Sequence, residues 1–352
     1  MTKRVLVGMS WWVDSAVTAY LLKQQGYEVA AGFMKNFAEP ENPNCHTRED
    51  RNMAIKVAHH LGIKTFLIFD FRKEYNERII DYIYEGYQKG ITPNPDVFCN
   101  NLIKFDVFLE EAEKLGFDYV AMGHYVKIVQ NGNEFELHRG VDRTKDQSYF
   151  LSWLNQNQLS KALLPLGVYH KEEIRKIAKE IELPNFDRKD SQWLCFIGKT
   201  PIKDFLKKRL PIKKGDIIDT EWNKVGEHEW AYFFTLGQSR WLDINIKAFV
   251  TKIDVKNNIV TVSYEKENND LSKSELYATS WHWIGTPPTL PSTIQTKIRY
   301  RQNPPHEATI SEVNANTMKI TFKEPQRAIA PWQIVVAYKG EKVIWNWIIS
   351  SK

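Results

Sequence analysis

Two thiols and one turn carry the chemistry that this 352-residue sequence can offer. Cys99 stands in Thr92-Pro93-Asn94-Pro95-Asp96-Val97-Phe98-Cys99-Asn100, a loop stiffened by two prolines that sets Asp96 three residues before the thiol. Cys195 stands in Asp190-Ser191-Gln192-Trp193-Leu194-Cys195-Phe196-Ile197-Gly198. Sulfur exchange is performed by a thiolate, so a working pair needs at least one exposed cysteine with a lowered pKa. An uninvolved cysteine instead behaves as a small buried hydrophobe, and the residues alone leave both readings open. Asp96 is the candidate general acid and base beside Cys99, with an Asx turn after Pro95 as its structural alternative. The turn is Gly8-Met9-Ser10-Trp11-Trp12-Val13-Asp14-Ser15, an apolar strand end running into a helix. Unpaired backbone N–H groups and the helix dipole converge there, which makes an anion cradle suited to phosphate. Glycine is the usual residue in such a turn because it accepts positive φ and lets the backbone touch the anion; Trp11 and Trp12 do neither.

These groups need a scaffold, and the sequence pattern supplies an alternating one. Strands are predicted over 5–8, 27–34, 64–69 and 119–122, with helices over 14–25, 48–61, 73–88 and 102–115. Strands alternating with helices imply crossover connections and a parallel sheet, so the first region is an α/β doubly wound, Rossmann-like domain. Ligands of such sheets bind beyond the carboxyl ends of the strands, where Ser10, Met34 and Gly123-His124-Tyr125 fall. Residues 146–210 read as mostly helical, most clearly over 171–182, and are assigned to this first domain, 1–210. After Pro211 the character changes to β. A hairpin is expected at Asn257-Asn258, and short strands over 294–300, 308–313, 318–322 and 333–338. A small β-rich central domain over 211–270 and a C-terminal β-barrel over 271–352 follow, with the polar run 265–274 as their linker.

The formal net charge is +5 with three cysteines, Cys45, Cys99 and Cys195. An odd, scattered set argues against a disulfide framework and for a reducing compartment. No apolar run approaches the length of a membrane span, and the chain enters a strand without a signal-peptide pattern, so a soluble cytoplasmic protein is expected. Cys45-His46 has no second Cys/His pair at ligand spacing, so no metal site is expected there. The basic clusters Lys207-Lys208-Arg209 and Lys213-Lys214 read either as solvated faces or as phosphate contacts.

Taken together and in order, these segments resemble the tRNA-specific 2-thiouridylase family, which replaces the C2 oxygen of the wobble uridine, position 34 of tRNA, with sulfur. The resemblance is carried by the Ser10 to Ser15 turn, Gly32-Phe33-Met34, Asn94-Pro95-Asp96 to Cys99, Gly123-His124-Tyr125, Lys145-Asp146-Gln147-Ser148-Tyr149-Phe150, the Cys195 segment, Gly226-Glu227-His228, Gly237-Gln238, Arg299-Tyr300-Arg301 and Ala330-Pro331-Trp332-Gln333. It implies an ATP pyrophosphatase fold that transfers AMP from ATP to the uracil C2 oxygen, with Mg2+ accompanying the phosphates. By resemblance Gly8, Met9, Ser10, Trp11, Trp12, Val13, Asp14, Ser15, Met34 and Gly123 hold the nucleotide. Cys195 carries a persulfide delivered by a cysteine desulfurase or sulfur-relay protein, and Cys99 releases the sulfur or resolves a Cys99–Cys195 disulfide. Asn94, Pro95, Asp96, His124, Lys145, Asp146, Gln147, Arg299, Tyr300 and Gln333 are implied to meet the tRNA.

The sequence departs from the family pattern in one consistent way. Trp11, Trp12, Trp193, Trp230, Trp241 and Trp332, with Trp222, Trp345 and Trp347, stand where the pattern has or readily takes glycine. Drift does not convert glycine repeatedly into one bulky residue. A gene in which UGA means glycine, translated as though UGA meant tryptophan, produces this pattern. Spelled literally, the turn predicts poor ATP binding, and a non-catalytic tRNA-binding or sulfur-carrier protein is the alternative reading. Another adenylating enzyme, such as an amide-forming ligase, would share the turn but have no use for the two cysteines.

Overall fold

The computed structural model describes residues 2–37, 47–188, 200–265, 269–287, 289–314 and 316–350. Arg4–Gly8 (β1) is covered on both faces, with Val5 and Val7 packed into one helical layer and Leu6 into the other. A continuous apolar run buried on both sides is what a parallel strand between two helix layers needs. Its sheet-mates are Glu28–Lys35 (β2), Phe66–Asp70 (β3), Tyr119–Ala121 (β4) and, after a hairpin of Val126–Asn131 (β5) and Glu134–Arg139 (β6), the short Ala162–Leu163 (β7). The order is β3-β2-β1-β4-β7, all parallel. The winding reverses between β1 and β4, and the crevice beyond their carboxyl ends is where a doubly wound sheet takes its ligand.

Val13–Gln24 (α1) and Thr47–His60 (α2) cover one face of the sheet. The other is covered by α3, which runs through Arg72–Tyr75, a π-helical Asn76–Ile80 and Asp81–Gln88, and by α4, which runs through Pro95–Cys99, a π-helical Asn100–Val107 and Phe108–Lys114. The sequence pattern predicts a loop over 92–101, and here the structure corrects it. Proline at the first helical position gives up no hydrogen bond and presets φ, so Pro95 starts the helix instead of interrupting it. Cys99 therefore sits one helical turn after Asp96.

The chain continues through Ser148–Leu151 (α5), Gln156–Ser160 (α6), Lys171–Glu180 (α7) and Ile202–Lys207 (α8). α7 buries Ile174 and Ala178 against α1. The central sheet comprises Gly215–Ile218 (β8), Lys224–His228 (β9), Phe249–Asp254 (β10) and Ile259–Ser263 (β11), in the order β10-β11-β8-β9. Its expected hairpin turn is present, with Asn258 at φ 59°. The last six strands are Ser272–Trp283 (β12), Ser292–Lys297 (β13), His306–Asn314 (β14), Thr317–Arg327 (β15), Ile334–Lys339 (β16) and Lys342–Ile349 (β17). They pair as β12-β15-β14-β13-β16-β17, and β17 returns to β12, closing a six-stranded barrel without free edges. Of the polar run expected as a linker, 266–268 lie outside the described residues and Ser272 onward is barrel strand, a second correction.

The β5–β6 hairpin has no counterpart in the sequence reading. It leaves the first domain and pairs with β17 of the barrel through His138 and Lys342. Beside it Asp146, 2% exposed, accepts from Arg139 Nε at 3.1 Å, from the Gly140 and Ser148 amides, and from Lys297 Nζ of β13 at 3.4 Å. A buried carboxylate with several donors is tolerated where an unpaired one would not be. This joint fixes the barrel against the sheet. No described helix is long and apolar enough to cross a membrane.

Candidate nucleotide and thiol site

The cradle is built from the end of β1 and the start of α1. Ser10 and Ser15 close the turn, with Oγ atoms 2.9 Å apart, the Ser10 amide donating to Ser15 Oγ at 3.1 Å and the Trp12 amide to Ser10 Oγ at 3.3 Å. Trp12 occupies the N-cap with extended backbone and offers no side-chain acceptor, so the positive end of α1 is left without a cap. Met9 is buried and its amide donates to Gly32 O at 2.8 Å; Val13 is buried behind the turn. Gly123 crosses the first turn of α1 so closely that a Cβ on it would lie 2.9 Å from Asp14 C and 3.0 Å from Ser15 N. A Cβ on Gly8 would lie 2.4 Å from Met122 Sδ and 3.2 Å from Met34 Cε. Asp14 is held in place, its Oδ1 accepting from Tyr125 OH at 2.7 Å and Lys171 Nζ at 2.6 Å.

The two indoles sit in the turn itself. Their ring centroids are 4.6 Å apart, and the Arg188 guanidinium carbon lies 3.0 Å from the Trp11 centroid and 5.5 Å from that of Trp12. The backbone frame fits a phosphate chain, and the side chains at 11 and 12 do not.

The thiol half is built on α4. Asn94 precedes it and is pinned from three sides: its amide donates to Tyr82 OH at 3.1 Å, and its Nδ2 to Tyr149 OH at 3.4 Å and Gln333 Oε1 at 3.3 Å. Gln333 Nε2 in turn donates to Thr92 O at 2.7 Å, so the barrel reaches the start of this helix. Burial pushes the Asp96 carboxyl above its ordinary range, and the Lys104 ammonium partly offsets this. Asn100 donates to Asp96 O at 3.0 Å and accepts from Lys104 Nζ at 3.0 Å. Cys99 is 2% exposed, so of the pair expected to include at least one open thiol, Cys99 is the closed one. Cys195, Trp193 and the Cys45-His46 pair lie outside the described residues. Among the described residues no group of three His, Cys, Asp or Glu could hold a metal.

Gly123-His124-Tyr125 joins the halves. Gly123 touches the cradle, Tyr125 bonds Asp14, and His124 lies against Phe105 of α4 with ring centroids 6.0 Å apart. Burial first, and the Lys104 charge second, hold His124 well below the usual imidazole range, so it is neutral at physiological pH. Several residues expected at an RNA surface have internal work. Asp146 forms the interdomain joint, Gln147 Oε1 accepts from the Tyr125 amide at 3.0 Å, and Gln333 clamps 92–94. Arg299 is exposed, and Tyr300 packs on Phe150 at 4.3 Å between centroids. Lys145 is half-buried, its amide donating to Asp142 O. In the basic clusters Lys207 pairs with Glu229 and Arg209 with Asp81. Lys171 was invisible to sequence reasoning, since nothing local marks a lysine that serves a carboxylate 157 positions away, whereas Lys104, one helical turn after Asn100, became readable only once 95–107 was seen to be helical.

A tRNA methyl transferase HUP domain matches residues 3–199, a tRNA methyl transferase PRC-barrel domain 203–264, and an aminomethyltransferase beta-barrel domain 273–345. A tRNA-specific 2-thiouridylase MnmA from Cupriavidus taiwanensis is 43% identical over 357 residues, covering 99% of this chain and 98% of that protein. The protein of that name from Listeria monocytogenes is 42% identical over 344 residues, covering 96% and 92%. The chain belongs to the tRNA-specific 2-thiouridylase family. A solved structure, the U34-tRNA thiolase NcsA from Methanococcus maripaludis, is 17% identical with a TM-score of 0.36, covering 59% of this chain and 66% of that one.

Proposed function

We propose that the chain is a cytoplasmic tRNA-uridine 2-sulfurtransferase that thiolates the wobble uridine at the expense of ATP. One observation carries the reading: the Gly123 to Tyr125 segment ties an uncapped helix start, suited to phosphate, to a helix bearing Asp96 and Cys99. In this reading the uracil C2 oxygen attacks the α-phosphorus of ATP and pyrophosphate leaves; Mg2+ bound with the nucleotide would neutralise the departing charge. The terminal sulfur of a Cys195 persulfide, supplied by a cysteine desulfurase or relay protein, attacks C2, and AMP leaves with the former oxygen. The Cys99 thiolate then attacks the Cys195 sulfur, leaving the terminal sulfur on C2 and a Cys99–Cys195 disulfide that an external thiol reduces. In the alternative order Cys99 attacks the persulfide first and releases hydrosulfide as the nucleophile. Asp96, with its raised pKa, exchanges the proton at the base. The assay is thiouridine formation on an anticodon stem-loop with ATP and a persulfide donor, with AMP and pyrophosphate as co-products. Thiolation that proceeds without ATP or survives loss of Cys99 overturns the reading.

We further propose that the tryptophans in tight turns are glycines in the protein the source organism makes. The backbone supports this independently of the family pattern. Eight described non-glycine residues have positive φ, and three of them are Trp222 (68°), Trp241 (58°) and Trp332 (66°). Tryptophan lacks the short polar side chain that lets Asn or Asp tolerate this region, where glycine pays nothing. Trp230, beside the short helical turn after β9, also buries an indole N–H without a hydrogen-bond partner, which a tryptophan chosen for its site avoids. UGA codons at these positions, and glycine masses in peptides from the source organism, are expected. UGG codons overturn this and favour the second reading, a tRNA-binding or sulfur-carrier homologue that does not use ATP.

A further inference from the structure

We infer that Arg188 and Asn185 form the outer wall of the phosphate site, with Arg188 gripping the β- and γ-phosphates that leave as pyrophosphate. The inference rests on the reading of the Ser10 to Ser15 turn as the ATP cradle, and it assigns residues outside that turn.

The segment after α7 folds back over the start of α1. Asn185 is 2% exposed there; its Nδ2 donates to Trp11 O at 2.8 Å, while its Oδ1 is buried without a hydrogen-bond partner. The first bond holds a carbonyl of the turn against Asn185, where a carbonyl facing the anion would repel it. The orphan acceptor is the sign of a missing donor, since buried polar atoms are otherwise paired. A hydroxyl of a bound nucleotide, or a water accompanying it, would supply one.

Arg188 lies three residues on. Its backbone carbonyl accepts from Arg175 Nη1 at 2.6 Å, which anchors the segment to α7. Its guanidinium is stacked on Trp11, 3.0 Å from the ring centroid, at the mouth of the cradle. Glu49, Asp50 and Asp187 lie close enough to favour its charge, against the burial that opposes it. A planar, permanently charged fork is the side chain best matched to bridging phosphate oxygens, and the same planar group stacks on aromatic faces. With a small residue at 11 the stack is lost, and the same guanidinium faces the positive end of α1. The helix end and the freed guanidinium, its backbone anchored through Arg175, then flank the pyrophosphate as it departs.

The test is calorimetric binding of inorganic pyrophosphate and of AMP to the full chain, to the Trp11→Gly/Trp12→Gly form, and to that form carrying Arg188→Met or Arg188→Lys. The double-glycine form should bind pyrophosphate at least tenfold more tightly than the chain as spelled. Adding Arg188→Met should forfeit at least tenfold of that affinity, Arg188→Lys should restore part of it, and AMP binding should not change. Equal pyrophosphate affinity with and without Arg188 overturns the assignment while leaving the cradle intact. No pyrophosphate binding by the double-glycine form overturns the cradle, and the assignment with it. A loss that affects AMP and pyrophosphate alike counts against a phosphate role and in favour of a structural one.

Discussion

The starts of α1 and α4 lie on either side of the Gly123 to Tyr125 segment and are put together by opposite means. At α4 the side chains agree with the backbone: Pro95 opens the helix, Asn94 is held by Tyr82, Tyr149 and Gln333, and the buried Cys99 follows the half-buried Asp96 by one turn. At α1 the backbone is right and the side chains are not. Gly8 and Gly123 let Met122 and the first turn of α1 approach so closely that any Cβ would clash, Ser10 and Ser15 tie the turn, and two indoles in contact with each other stand in the turn itself. Natural sequences are consistent from local choice to global fold, and conflicts concentrate at functional or miscopied positions. The contrast locates the conflict in two residues, with the fold around them sound.

The contrast is sharpest if the α4 side chains work as placed. Replacing Cys99 by serine should reduce thiolation to background while ATP–pyrophosphate exchange persists, because sulfur release and adenylation occupy different halves of the site. Loss of both would mean that the halves are not separable. Asp96→Asn should lower the thiolation rate by about 100- to 10,000-fold, the range of a positioned acid or base. It should also raise the melting temperature at neutral pH. The folded-state pKa of Asp96 is raised by burial, so the folded protein binds that proton more tightly than the unfolded chain, and stability falls as pH rises through the folded pKa. The neutral amide escapes that loss. Its advantage should shrink as pH falls through this window and vanish below the ordinary carboxylate pKa of 3.8. An advantage independent of pH would show that Asp96 is ordinary in its surroundings.

How much of this was legible beforehand follows from the same physics. The parallel sheet was readable because β1 and β2 are apolar runs covered on both faces, and four of the six barrel strands because they carry short alternating runs, while β12 and β17 were not predicted. The start of α4 was misread, since two prolines signal a loop and only the chain's path shows that one of them stands at a helix's first residue. The β5–β6 hairpin was legible in its Asn131-Gly132 turn between two alternating runs and was overlooked, whereas its docking on β17 and the Asp146 joint were unreadable because Lys342 and Lys297 lie more than 150 residues on. Candidate residues could be named from their motifs, but their assignment between site and scaffold could not. Gln333 and Gln147 prove to be clamps, and Lys171, which holds Asp14, carries no local mark.

If the α1 conflict lies only at 11 and 12, replacing both tryptophans by glycine should tighten ATP binding at least tenfold, about 1.4 kcal/mol, without changing the chain's fold by circular dichroism. Unchanged affinity would place the obstacle elsewhere and dissolve the contrast.

The smallest effect concerns tryptophans far from either helix. Trp241 is 90% exposed at φ 58°, so its indole has almost no packing to lose. A left-handed backbone costs a residue with a Cβ roughly 1–2 kcal/mol, so Trp241→Gly should stabilise the chain by about 1 kcal/mol once glycine's greater unfolded-state freedom is set against that relief. Trp332, at φ 66° but 37% exposed, gives up some buried surface on the same change, so its gain should be smaller. Equilibrium denaturation of the two variants ranks them. A reversed order, or a loss at Trp241, would mean that these turns accommodate tryptophan, and the conflict at α1 could then no longer be read as one instance of a chain-wide substitution.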